Sequence, residues 1–272
     1  MEYFTSEKIS EHITKIRDIC GTFIYLVTGE EKAVLLDTGD GFGNLRTYVN
    51  ELTSLPVTVV LTHGHLDHIG GCYDFSGSPV YMNPADLELF EKHARIPFRQ
   101  EFYQMNPAVK DLPAEVYTLP YSGDIIPMND GDVFDCGGVH IKMISVPGHT
   151  QGMMCALIEE DRTVLFGDAC GVFVGLLDEC SSTVSAYRQS LMKLREYENS
   201  YDHIIRNHGT GVSGMELLDN VIECCDLIMN GRDDAVPAKW NGIDCFLAKE
   251  MNGYSRADGK EGNIAYSKER IF

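Results

Sequence analysis

The sequence has few basic residues and no long apolar segment, and these absences exclude several classes of function. Its 272 residues include 22 Lys and Arg against 41 Asp and Glu, a formal net charge of −19. No basic cluster suited to a nucleic acid or an anionic lipid surface is present. No apolar stretch approaches the roughly 20 residues that span a bilayer, and the polar start MEYFTSEKIS is unlike a signal peptide. We expect a cytoplasmic protein that binds a small molecule rather than a polynucleotide or a membrane.

Cysteine spacing also excludes some architectures. The nine cysteines are an odd number and contain no CxxC pair, so neither a disulfide framework nor a cysteine zinc site is indicated. The composition, 44% hydrophobic and 23% charged, is typical of a globular protein with a substantial core. We expect residues 1–272 to form a single domain.

Apolar runs that predict strands fall into two groups, one in each half of the chain. The first group includes residues 23–27, 33–36 and 57–61, and the second includes 139–146, 153–158 and 163–166. Helical patterns lie between and after them, and two packed sheets with helices outside fit this order better than alternating βαβ units. The final forty residues are polar and predict at most one strand, at 263–266.

Three histidines and one aspartate lie within six residues, directly after the apolar run 57–61. They are His63, His65, Asp67 and His68. Imidazole and carboxylate groups are ligands of zinc and of similar metals. His63 and His65 alternate on an extended backbone and can point the same way, whereas Asp67 and His68 lie past a turn. One loop can therefore supply ligands to two neighbouring metals.

Three further candidate ligands each follow a predicted strand and lie next to a glycine. They are His149, Asp168 and His208. Loops at strand ends are common positions for functional side chains because the sheet holds them rigidly. The repeated arrangement predicts that these residues complete the same metal centre.

These motifs resemble those of the metallo-β-lactamase-fold superfamily. The family's HxHxDH motif is matched by His63, His65, Asp67 and His68, and its later ligands by His149, Asp168 and His208, over about residues 12–210. The resemblance implies an α/β fold, a four-layer αββα sandwich with a helical and loop insertion. It also implies that His63, His65 and His149 hold one metal, that Asp67, His68 and His208 hold the other, and that Asp168 bridges the two. Asp37 matches a family aspartate that acts behind the ligands, although a cap of its own Asp-Thr-Gly turn is an equal alternative.

The resemblance implies a hydrolase. Two divalent metal ions, zinc first and manganese or iron as alternatives, would supply a bridging hydroxide that cleaves a small ester, thioester, lactone or phosphodiester. Asp67 is also a candidate proton acceptor. Aspartate at position 168 is similar to glyoxalase II-like thioesterases and lactonases, and it disfavours true β-lactamase activity. The alternatives are a mononuclear iron dioxygenase acting on a sulfur substrate and a catalytically silent ligand-binding or sensor module on the same fold.

A segment rich in proline and aromatic residues, 84–121, separates the first motif from the later ligands. We predict that it forms a lid over the metals. Its candidate substrate-binding residues are Phe90, Phe98, Phe102 and Tyr103. His93 lies in the same segment but has no partner at ligand spacing, so the sequence places it on the surface or in the core.

Overall fold

The computed structural model describes residues 1–240, 242–253 and 255–272. In chain order its main elements are β1 (Phe4–Lys8), β2 (Ile13–Asp18), β3 (Phe23–Thr28), β4 (Ala33–Leu36), α1 (Leu45–Leu52), β5 (Val57–Val60), α2 (Leu66–Ile69), β6 (Val80–Met82), α3 (Leu87–His93), α4 (Ile96–Tyr103), β7 (Ile126–Pro127), β8 (Val133–Asp135), β9 (His140–Ser145), β10 (Met154–Ile158), β11 (Thr163–Leu165), β12 (Val174–Leu176), α5 (Val184–Arg195), β13 (His203–Ile205), β14 (Val212–Ser213), α6 (Leu217–Met229), β15 (Val236–Trp240), β16 (Ile243–Leu247), β17 (Met251–Asn252), β18 (Ser255–Arg256) and β19 (Ile264–Tyr266). Short 3₁₀ helices cover Cys72–Phe75, Pro84–Asp86, Ala114–Val116, Glu198–Ser200 and Lys268–Arg270.

Two sheets pack face to face, and helices cover their outer faces. The first sheet has the strand order β1-β2-β3-β4-β5-β6-β7, and the second has the order β14-β13-β11-β10-β9-β8. Buried apolar side chains of both sheets, such as Tyr25, Val60, Met154 and Leu165, form the layer between them. Residues of α1 and α3 pack on the first sheet, and residues of α5 and α6 pack on the second. The structure is an αββα sandwich, which confirms the predicted fold class.

Strand direction brings several loops to one edge of the sandwich. β4 and β5 are parallel, with Leu36 opposite Val60, and β11 and β13 are parallel, with Leu165 opposite Ile205. β9 runs in the direction of β11 because both are antiparallel to β10. The carboxyl ends of these five strands therefore carry the loops that contain all of the predicted ligands.

Backbone hydrogen bonds join the two sheets at this edge. The amide of Met154 donates to the carbonyl of Thr62 at 2.9 Å, and the amide of Phe23 donates to the carbonyl of Asn207 at 2.8 Å. Each bond links a strand of one sheet to a ligand-bearing loop of the other. The loops are consequently held in register with each other by main-chain contacts.

The prediction of at most one strand in the final forty residues is wrong. β15, β16 and β19 form a third sheet with β12, in the order β12-β19-β16-β15, and β17 pairs with β18. β15 and β16 are mostly exposed or half-buried, so they lack the apolar alternation by which a strand is recognised in a sequence. β15 pairs with β16, and β16 is connected to β12 only through β19.

The described residues include no helix that is both long and apolar enough to cross a membrane.

Candidate metal centre

Three histidines from two loops place their ring nitrogens together. His65 Nδ1 lies 3.1 Å from His63 Nε2 and 2.9 Å from His149 Nε2. His63 and His65 follow β5 of the first sheet, and His149 follows β9 of the second. We call His63, His65 and His149 the three-histidine group.

A second group forms beside it from Asp67, His68 and His208. His208 Nε2 lies 3.3 Å from Asp67 Oδ2, and His68 Nε2 lies 3.7 Å from the same oxygen. Asp168 lies between the groups, because its carboxylate is 3.3 Å from His208 Nε2 and 3.7 Å from His149 Nε2. Within each group the ligand atoms lie within 4.8 Å of one another, and His63, His68 and Asp168 form a further such set. The structure thus brings together all seven predicted ligands.

Asp37 orients the ligands of the second group from behind. Its carboxylate is buried and accepts hydrogen bonds from His68 Nδ1 at 2.8 Å, from the Thr62 hydroxyl at 2.9 Å and from Asn207 Nδ2 at 3.0 Å. Its backbone has a φ of 65°, a conformation that is costly for a residue with a side chain. These contacts place the carboxylate of Asp37 behind the second group, and none of them is to the Asp-Thr-Gly turn itself.

Two ligand tautomers are set by neighbouring oxygens. The Thr62 hydroxyl donates to Asp37, so its oxygen accepts from Nδ1–H of His63 at 3.1 Å. His149 Nδ1–H donates to the carbonyl of Gly175 at 2.9 Å. In both rings the oxygen partner contacts Nδ1 and Nε2 faces the centre, an arrangement in which hydrogen-bond partners behind the ligands orient them in metal sites.

The two groups differ in their electrostatics, and the second group, Asp67, His68 and His208, favours a positive charge. Burial lowers the pKa values of His63 and His65 well below their ordinary value, so both rings are neutral. Burial also acts to lower the pKa of His68, but nearby carboxylates, chiefly Asp67, raise it well above its ordinary value. The pKa of His208 is raised to about 9, because the carboxylates, Asp168 foremost, outweigh burial. A position that attracts a proton this strongly is also favourable for a divalent cation.

The residues present fit a bound metal. His68 Nε2 is buried and has no hydrogen-bond partner among the described residues, although buried polar atoms are nearly always paired. In the three-histidine group, the ring nitrogens lie 2.9 and 3.1 Å apart, and a cation shared between them accounts for this close approach. The donor set of imidazoles and carboxylates is one that zinc, manganese and iron all accept.

The centre is open to solvent on one side. His68 is fully buried, whereas the side chain of His208 is 40% exposed and that of Asp67 is 25% exposed. Solvent therefore reaches the centre from the side of His208 and Asp67.

The four predicted substrate-binding aromatics do not share one surface. Phe90 is buried against the first sheet, and Tyr103 is buried and donates its hydroxyl hydrogen to Asp40. Phe102 is 48% exposed. Phe98 stacks on His93 with ring centroids 4.4 Å apart, and His93 stacks on His65 at 5.2 Å. Only Phe98 is thus connected to a predicted ligand by stacking within the described residues.

The segment 84–121 is fastened to the loop that follows β4. Arg99 is fully buried, and its guanidinium donates to the carbonyls of Asp40, Gly41 and Thr118 at 2.9, 2.7 and 2.6 Å. This contact fixes α4 relative to the centre.

Sequence reasoning missed several residues that contact the ligands or their loops, among them His93 and Asp86. His93, expected on the surface or in the core, stacks on His65. Asp86 accepts hydrogen bonds from the loops of both His65 and His149. Its only sequence signal, Asn-Pro-Ala-Asp, is that of a helix start.

The sequence was compared with protein families and with curated proteins. Residues 17–201 match the profile of the metallo-beta-lactamase superfamily. An uncharacterized protein of Mycobacterium tuberculosis is 31% identical over 155 residues, 54% of this chain and 66% of that protein. The acyl-coenzyme A thioesterase MBLAC2 of Homo sapiens is 27% identical over 156 residues, 53% of this chain and 56% of that protein. The matched segment spans less than two thirds of the length of either relative.

Solved structures share the fold. The stereoselective inverting sec-alkylsulfatase Pisa1 from Pseudomonas sp. has a TM-score of 0.64 and 16% identity, with 84% of this chain and 42% of that chain covered. A metallo-beta-lactamase from Pontibacter korlensis has a TM-score of 0.57 and 18% identity, with 81% and 97% covered. At these identities the similarity concerns the fold alone.

Proposed function

Because the chain belongs to the metallo-β-lactamase superfamily, we propose that it is a dinuclear metal-dependent hydrolase of small esters, thioesters, lactones or phosphodiesters. The observation that supports this most is the convergence of seven histidine and aspartate side chains in overlapping groups, two of which include His68, whose buried Nε2 has no hydrogen-bond partner among the described residues. Thioesters are the first substrates to test, because one relative is an acyl-coenzyme A thioesterase.

In this proposal, the three-histidine group would hold one divalent ion, Asp67, His68 and His208 would hold the second, and Asp168 would serve as a ligand to both. Zinc is our first choice for both ions. When bound, such ions act as Lewis acids and bring the pKa of water near 7. This chemistry needs no nucleophile from the protein.

The chain's own residues orient the ligands and handle protons. Asp37 holds His68 by Nδ1, and Thr62 and Gly175 hold His63 and His149 in the same way. Asp67 is partly exposed and lies at the open side of the centre. Its carboxylate is therefore placed to accept a proton from the attacking water, which is the role we assign to it.

We propose that the segment 84–121 acts as a lid whose contact with the site passes through Phe98 and His93. Replacing Phe98 with Ala should raise KM about tenfold, the effect of losing about 1.4 kcal/mol of contact, and should leave metal content unchanged. Phe102→Ala is the matched control, because that ring is exposed and makes an edge-to-face contact with Tyr103 rather than stacking on His93. Equal effects of the two changes, or loss of metal in Phe98→Ala, would contradict the lid.

The cytoplasm is the compartment we assign to this enzyme. All nine cysteines carry free thiols, as is usual for proteins of a reducing compartment.

The hydrolase proposal is tested with a panel of generic thioester, ester, lactone and phosphodiester substrates. The metal-loaded protein should hydrolyse at least one of them, and a chelator should abolish the activity. His65→Ala should be inactive, whereas His203→Ala, a change at an exposed histidine of β13, should retain activity. Absence of metal-dependent turnover on every substrate would favour the silent binding module instead.

A further inference from the structure

Asp86 connects the two loops that carry the three-histidine group. It is 1% exposed, and its carboxylate makes no capping hydrogen bond to α3, the helix that follows it. Oδ2 accepts from the amide of Gly64 at 3.0 Å and from the hydroxyl of Thr150 at 2.7 Å. Oδ1 accepts from the amide of Gly152 at 2.7 Å. The side chain thus faces the metal centre's loops instead of its own helix.

The donors are next to metal ligands on different sheets. Gly64 lies between His63 and His65, and Thr150 directly follows His149. One buried carboxylate therefore sets the separation of the loop after β5 from the loop after β9. Three hydrogen bonds to one buried side chain constrain the two loops more tightly than a single loop contact would.

The fit around Asp86 is close enough to transmit small shifts. A methyl group added at Gly152 would lie 2.6 Å from Asp86 Cγ, and one added at Gly64 would lie 3.0 Å from the carbonyl oxygen of Asp86. Both glycines are thus needed for the carboxylate to reach the two amides. Displacement of Asp86 would move His65 and His149, whose nitrogens are 2.9 Å apart.

We propose that Asp86 is a positioning residue for the metal held by the three-histidine group. It acts through the loops and touches neither metal nor substrate. The inference rests on the proposed metal site but not on the reaction. It also means that deleting the segment 84–121 would remove a support of the metal site, so point variants such as Phe98→Ala are the better test of the lid.

The test is cobalt(II) titration of the metal-free protein, followed by the visible absorption of the bound ion. Asp86→Asn keeps the shape, but its single amide oxygen cannot replace both carboxylate oxygens. The Asp86→Asn variant should bind cobalt at the three-histidine group about 10- to 100-fold more weakly, the usual effect of losing a hydrogen-bond partner behind the metal ligands. Thr150→Val should weaken it in the same direction, and Thr150→Ser should restore it.

Asn83→Ala is the control for a merely structural effect. Asn83 Oδ1 accepts from the amide of Ala85 at 3.0 Å in the same turn, so its loss should lower stability by about 1 kcal/mol without weakening cobalt binding. Unchanged affinity in Asp86→Asn, or equal weakening in Asn83→Ala, would overturn the inference. If Asp86→Asn fails to fold, equal affinities of Thr150→Val and Thr150→Ser would overturn it. Failure of the parent protein to bind cobalt would instead overturn the metal site itself.

Discussion

Replacing Asp37 with Asn tests how the chain holds its second group of ligands. Asparagine tolerates the positive φ of this position, so the backbone should keep its course. The carboxylate has two acceptor oxygens: Oδ1 accepts from the amide of Thr62 at 2.7 Å, and Oδ2 accepts from Thr62 Oγ1, His68 Nδ1 and Asn207 Nδ2. An amide has only one oxygen. Wherever it points, an N–H group of the new side chain faces a buried donor.

The size of the effect follows from these contacts. One unsatisfied buried donor costs about 1–3 kcal/mol, which should appear as a lower free energy of unfolding of the metal-free protein. Loss of the partner of His68 should weaken metal binding about 10- to 100-fold, equivalent to about 1.4–2.7 kcal/mol.

Both quantities are measurable on the same preparation, by denaturant unfolding and by competition with a chelator of known affinity. Asp202→Asn is the control, because Asp202 is exposed and pairs with Arg162 at the surface, where an ion pair contributes at most about 1 kcal/mol. Native metal affinity in a folded Asp37→Asn variant would refute the role assigned to Asp37.

Two further predictions concern packing and pH. In Gly148→Ala the new methyl carbon would lie 2.1 Å from the ring of Tyr187, so we expect a loss of about 1–3 kcal/mol in the free energy of unfolding together with weaker metal binding. Gly171→Ala is the control, because its new methyl carbon would lie 3.6 Å from the nearest neighbour, and it should cause neither loss. Equal melting temperatures of the two variants would contradict the packing argument. Burial raises the pKa of Asp74 from 3.8 to about 6, so its ionisation reduces stability as pH rises from about 4 to about 6. Asp74→Asn lacks this titration, and its Tm relative to the parent should therefore improve between about pH 4.5 and pH 7.5; a constant difference would count against the shift.

The metal ligands were more predictable from the sequence than Asp86 and the strands near the end of the chain. The predicted ligands follow strongly apolar strands, so each was identifiable as a candidate from its local pattern, whereas the proximity of His63 to Asp168, which follow strands of different sheets, was implied by the family resemblance. Asp86 was not identifiable, because its partners Gly64 and Gly152 lie 22 and 66 residues away and its local pattern is that of a helix start. β15 and β16 were missed because they are mostly exposed or half-buried, whereas the strand predicted at 263–266 corresponds to β19, which pairs with β12 about 90 residues earlier.

The number of metal ions per chain, measured by elemental analysis on a sample whose hydrolytic activity is assayed in parallel, tests the central claim most directly. We expect two divalent ions per chain, with activity that falls to background after chelation and returns when the metal is restored. A single iron per chain with oxygen consumption would identify the dioxygenase alternative. Hydrolysis that persists in the metal-free protein would contradict the proposed mechanism.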